Sequence, residues 1–301
     1  MRLIRYIGVN LRRTMGSSTF WYCVLAAFAL CFTAVVAQDL KNNDDLMVLQ
    51  VLFRREMIEQ HTDLNAWSVF CSAGGTWFAM FAPILSAFPF VPAIINNRIT
   101  QSARFTISRI GKRRYQLGNI CTTFLSGGMA VVLGYALFGI VVWLLFPSIG
   151  DYPEQAAASY LEMLTWGKPA WYANALSEQQ YCLPILLQLG QMFLYSGCGS
   201  LLALVFAAFV KNPYIVLCMP FFLTYGWTQI NARLSTMAYA DFENMNQSLG
   251  RFASLTNPRA FSMLLGYGTD LPLVLSIHLG FALLLCTVYY LITNRRVDCG
   301  E

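Results

Sequence analysis

The sequence predicts an all-α polytopic membrane protein, with six transmembrane helices and an interfacial helix ahead of them. Three observations carry this. Of 301 residues, 57% are apolar and only 12% charged, about half the charge of an ordinary soluble domain. The charged residues fall between apolar stretches of the length a span needs, about 20 residues. Lys and Arg also alternate in abundance from one connecting segment to the next. Helices are the form that fits, because backbone in lipid must satisfy its own hydrogen bonds. The alternating ten-residue segments of an outer-membrane barrel are absent.

Residues 1–16, "MRLIRYIGVNLRRTMG", place Leu3, Ile4, Ile7, Leu11 and Met15 at helical spacing among arginines. A basic amphipathic helix of this length lies in the membrane surface plane. Spans follow at about 20–37, 66–95, 119–146, 184–210, 213–230 and 271–293. The first admits a competing reading as a signal peptide cleaved after "AVVA". Its leader is long for that, and cleavage would leave an odd number of spans. The second is interrupted by Pro83, Pro89 and Pro92, and the fifth contains Pro220. These prolines release backbone carbonyls and bend helices, as plain kinks or as hinges lining a path.

Charge sets the orientation. The segment before the first span, the loop 96–118, the turn "VKNPY" and the tail after the last span hold 13 of the 20 basic residues. The intervening segments 38–65, 147–183 and 231–270 are longer, yet hold 7 basic residues and 13 of the 15 acids. By the positive-inside rule both termini and the loop 96–118 are cytoplasmic, in a cell membrane. That loop carries Arg98, Arg104, Arg109, Lys112, Arg113 and Arg114 with no acid. Topology and attraction to anionic lipid account for much of this charge.

Small residues recur every four positions in two spans, as Ser126, Ala130 and Gly134, and as Gly199, Ala203 and Ala207. This spacing lets helix backbones approach within lipid, inside one chain or between subunits. The nine cysteines lie mostly in apolar runs without metal spacing, where thiols pack as small hydrophobes. No metal site is expected.

No span carries Asp, Glu, Lys or Arg, so the paired charges common in ion-driven carriers are missing. His278 is the strongly ionisable side chain within a span. His61, in "EMIEQHTD", could bind a cation weakly, although a solvated face explains it better. The chain has no GxxxxGK[ST], HExxH or GxSxG motif, so it is not expected to be an enzyme. Energy for any transport would come from a partner.

This arrangement resembles the permease subunits of type-2 ATP-binding-cassette (ABC) exporters over essentially the whole chain. Beyond the helix and spans, "ISRIGKRRYQLGN" followed by "FLSGG", and "LTNPRAF" before the last span, are similar to segments of a Firmicutes-type subgroup of such permeases. The resemblance implies a bacterial exporter subunit that works with two separate ATPase subunits and a second permease, identical or homologous. ATP and Mg would bind on the ATPase, with no cofactor in this chain. It also implies a coupling segment near 96–108 that docks the ATPase through Asn97, Arg98, Thr100, Gln101, Arg104 and Phe105. Where relatives carry an acid beside these basic residues, this chain reads "INNR". Two other readings stay open: a peptide sensor or immunity protein using the outer segments, and a self-contained channel or carrier.

Overall fold

The computed structural model describes residues 2–39, 44–54, 56, 58, 64–165, 170–239, 246–257 and 271–298. His61 lies outside these residues, as does the "PRAF" of "LTNPRAF". An all-α architecture is shown, with one β-hairpin added. Four described helical stretches, among them Trp77–Ile99 taken as one across a local break, are long and apolar enough to cross a membrane, or five if the first two helices count as one bent span.

The first of that pair, α1 (Arg2–Met15), is amphipathic; α2 (Ser18–Cys31) starts at Ser17, whose hydroxyl accepts the Phe20 amide. The two are bent by 65°. At 1.5 Å per residue α2 alone is about 21 Å long, short of a ~30 Å hydrocarbon core. The predicted first span therefore stops early, at Cys31, and its last residues form a strand. β1 (Val35–Asp39) pairs antiparallel with β2 (Asp44–Met47). β-Branched Val35 and Val36 favour this extended form. A short helix α3 (Val48–Phe53) follows.

The predicted second span is three helical pieces. α4 (Ala66–Ser72) ends before Gly75, α5 (Thr76–Ala87) contains Pro83, and α6 (Val91–Ile99) begins with Pro92 in its first turn. Pro89 sits in the turn between α5 and α6. Neither Pro89 nor Pro92 has an N–H to continue the helical ladder, so the break falls there. A nine-residue helix, α7 (Ser102–Ile110), then leads to α8 (Lys112–Leu145), which is 34 residues long. α8 starts seven residues before the predicted third span, taking in three basic residues whose side chains suit a helix end at a membrane surface.

Beyond α8, a short turn (Ile149–Asp151) leads to α9 (Glu154–Thr165) and α10 (Ala170–Ser177). α11 (Cys182–Ala207) and α12 (Pro213–Tyr239) form a tight helical pair. α12 outruns the predicted fifth span by nine residues. It is not among the helices that qualify as spans by composition, because Thr224, Gly226, Thr228 and Gln229 dilute its apolar run. α13 (Gln247–Thr256) folds back on α12, and α14 (Leu271–Asp298) ends the described chain.

Hydrogen bonds show which helix termini share an end of the bundle. At the basic end, Arg98 donates to the carbonyl of Ala207, and Lys112 Nζ to that of Asn294 at 2.7 Å. Tyr6 Oη donates to Asn119 Oδ1 at 3.1 Å, fixing α1 across α8. At the acidic end, Trp67 Nε1 donates to Tyr172 Oη at 3.1 Å, and Tyr152 Oη to the Ile58 carbonyl at 2.9 Å. Burial raises the Tyr172 phenol well above its ordinary pKa, so it stays protonated and accepts from the indole.

α8 is the centre. Seventeen of its residues are buried, including Ser126, Ala130 and Gly134. A Cβ on Gly134 would lie 2.5 Å from the Val24 carbonyl oxygen, and one on Gly127 would lie 2.4 Å from that of Ser86. α2 and α5 thus meet α8 backbone to backbone. Gly199 sits against Pro83, while Ala203 and Ala207 pack with Ala87, Val91, Ile95, Val216 and Leu217. Gly134→Leu is therefore expected to abolish stable folding, with no resolvable thermal transition in detergent. Gly190→Ala, with nothing within 4 Å, should be neutral or stabilising by up to about 1 kcal/mol; a tolerated Gly134→Leu would refute the close approach.

Candidate functional site

Two features stand out, one at each level of the bundle. At the basic end, α7 is set off from its neighbours by two residues with positive φ. Gln101 has φ 57°, and Gly111 has φ 86° with ψ 146°. The second conformation is essentially restricted to glycine, whereas Gln101 adopts the left-handed region at a cost. Between these corners, α7 has no buried residue. Phe105 is 73% exposed and Ile99, two residues before the first corner, 54% exposed. Its partly buried residues, Ser102, Ala103, Thr106, Ile107 and Ile110, share one side, and the other side is exposed.

The residues expected to form the coupling segment divide into two groups. Thr100, Gln101, Arg104 and Phe105 are exposed at the corner or on α7, and so is Asn97, whose carboxamide oxygen accepts from Ser102 Oγ at 3.2 Å. Arg98 differs. Half-buried, it donates to the last carbonyl of α11, where a cation also complements the helix dipole. It lies near Tyr115 and Tyr289 as well. Its role in this arrangement is to lock the end of α6 to the end of α11. Arginine in a cytoplasmic loop is already expected from topology, so sequence alone offered no signal for that bond.

The second feature is a cavity of about 520 Å³ between α5, α11, α12 and α14, closed at one end by Thr256 of α13. It brings together Pro83, Gly199 and His278, singled out in the sequence for separate reasons. Pro220 is buried in α12 and does not line it. His278 Nδ1 lies 2.8 Å from the Val274 carbonyl. A carbonyl only accepts, so Nδ1 carries the proton and the lone pair of the neutral ring is on Nε2. Trp227 Nε1 donates to the Thr256 carbonyl at 2.9 Å, and Thr256 Oγ1 to Asn231 Oδ1 at 3.1 Å. The backbone of α13 is thereby tied to α12. Neither Trp227 nor Thr256 had a motif to mark it.

The core also holds buried polar groups that sequence reading passed over. Both amide atoms of Gln116 and Gln191, and the hydroxyls of Thr122 and Thr123, are buried without a hydrogen-bond partner. All belong to α8 or α11. Among the described residues no group of three His, Cys, Asp or Glu side chains is placed to hold a metal, and the eight described cysteines are free thiols.

No family model, curated protein or solved structure matches the chain.

The contrast between Arg98 and its neighbours is measurable. Arg98→Ala should lower stability by about 1.5–3 kcal/mol, the range for a hydrogen bond from a charged group, seen as a lower thermal midpoint. Arg113→Ala, at an exposed position, should stay within about 0.5 kcal/mol of the parent. Equal effects would remove the structural role assigned to Arg98.

Proposed function

We propose that the chain is the membrane subunit of an ABC-type exporter and that α7, with its flanking corner, is where the ATPase docks. Six spans would place both termini in the cytoplasm of a bacterial cell. In that scheme α12 is the fifth span, and α2 completes the first with help from α1. The single observation that carries the reading is the state of α7. It is set off by two residues with positive φ, has no fully buried side chain, and exposes Arg104, Phe105 and Arg109. A partner groove with an apolar pocket and acidic rim fits that surface. The motif resemblance supplies the identity of the partner, two separately encoded ATPase subunits that bind ATP and Mg.

Mechanically, α7 is joined through Gly111 to α8, the helix on which most of the bundle packs. Closure of an ATPase dimer would move α7, and rotation about the Gly111 corner would be passed to α8. Two permeases, identical or homologous, would enclose the path of an amphipathic or apolar cargo such as a peptide, lipid or drug.

A second reading, a self-contained channel or carrier, draws on the unpartnered Gln116, Thr122, Thr123 and Gln191 inside the bundle. Uncharged polar groups of this kind can line an aqueous route.

The test is purification of tagged protein in mild detergent, with identification of bound chains and an ATPase assay. Wild type should retain a nucleotide-hydrolysing subunit, and Arg104→Glu/Phe105→Glu should lose it while keeping its own thermal midpoint. Arg98 is left intact because changing it would disturb the fold. If neither form retains an ATPase, and the purified chain alone supports ion flux in vesicles, the exporter reading fails and the carrier takes its place.

A further inference from the structure

We infer that the cavity between α5, α11, α12 and α14 is a binding site for the apolar tail of a neutral amphiphile that enters sideways from the bilayer. Its size, about 520 Å³, lies in the range of small-molecule sites. Its lining carries no Asp, Glu, Lys or Arg, and Leu202, Leu223, Ile277, Phe281 and Leu285 are among its wall residues. Several of its polar tips are engaged by the protein itself. Tyr195 donates to the Ala79 carbonyl, Trp227 to that of Thr256, and His278 Nδ1 to that of Val274. A polar solute would lose its hydration there and regain little, whereas a hydrocarbon tail gains with each methylene buried.

The position of the mouth identifies the source. Leu223, Trp227 and Phe281 line the cavity and are each more than 40% exposed. They lie on the faces of α12 and α14 that also expose Phe222 and Leu284. In the proposed topology α12 and α14 are the fifth and sixth spans, so a mouth between these apolar faces opens to lipid rather than to water. Trp227 and Thr256 mark the end next to α13, where an indole suits the boundary between tail and headgroup. With no charged residue in the lining, a neutral headgroup is preferred over a phosphate or carboxylate.

The cavity also has a structural cause. Gly199 brings α11 onto Pro83 so closely that a Cβ would lie 2.9 Å from the proline Cα. Pro220 interrupts the hydrogen-bond ladder of α12 on the opposite side. One wall is drawn in and the other is not.

This site would hold the cargo class of the proposed exporter and rests on that reading only for transport. Binding itself needs no ATPase. The test uses the full chain in phosphatidylcholine nanodiscs with a monoacylglycerol carrying a diazirine in its tail. After irradiation, adducts are mapped by mass spectrometry. They should concentrate on 223–227 and 277–285 and be competed by unlabelled monoacylglycerol. In Leu202→Trp and Thr224→Trp they should fall about tenfold, the affinity carried by roughly two buried methylenes. Leu283→Trp, on the outer face and outside the lining, should keep them. Adducts spread evenly over lipid-facing positions, unmoved by competitor or by filling, would overturn the site. That failure leaves the docking reading standing, while specific labelling without a co-purifying ATPase would support the site and remove the exporter.

Discussion

The structure depends on how closely its helices approach α8. Inside a bilayer, apolar side chains gain little by leaving lipid for protein, so association rests on dispersion contacts and hydrogen bonds. Those contacts require small residues where backbones meet. Gly127 and Gly134 let the Ser86 and Val24 carbonyls come within reach of α8, and Gly199 does the same for Pro83. With the helices packed this tightly at mid-depth, the remaining freedom lies at the two ends. One end carries the basic residues and α7. The other carries the hairpin, α9 and α10, with an aromatic cluster in which Trp67 meets Phe70, Tyr172 and Tyr181 at tilted angles and Trp143 edge to face.

At the basic end the arginines are not equivalent. A topology signal needs only charge near the membrane surface, and Arg109, Arg113 and Arg114 are exposed as that role requires. Arg98 instead caps α11. Lys112 likewise holds the end of α14 through the Asn294 carbonyl. These two bonds tie the end of α6 to α11 and the start of α8 to α14. In the proposed docking, movement of α7 would reach α8 through Gly111.

Much of the bundle was legible in the sequence. α1, α8, α11 and α14 announce themselves by length, apolar runs and flanking charge, and each differs from its expected bounds only at the ends. The misreadings have separate causes. Hydropathy cannot distinguish helix from strand in an apolar run, so "TAVVA" was read as the end of a span when Val35 and Val36 begin a strand. The prolines of the second span announced a bend, but whether they break the helix depends on what packs nearby, and the break falls at Pro89. The end of α12 was lost because Thr and Gln dilute its hydropathy. Some polar residues there are nonetheless covered, Asn231 by its bonds with Thr256 of α13: Thr228 is 6% exposed and Asn231 is fully buried, while Gln229 stays exposed.

The functional features were legible in part. Basic residues and "ISRIGKRRYQLGN" marked the region of α7, though not the left-handed corner at Gln101, since glutamine has no preference for that conformation. Pro83, Gly199 and His278 were each visible, but lie about 80 to 195 positions apart in the chain. Only the tertiary fold brings them to one cavity. The central claim is that α7 faces the cytoplasm and seats in a soluble ATPase. A photoreactive amino acid in place of Phe105, irradiated in intact cells, tests it most directly. The account predicts one discrete crosslink to a nucleotide-binding protein, lost when the probe is moved to Leu144 at the opposite end of α8. Crosslinks to lipid alone, or the same partner from both positions, would contradict it.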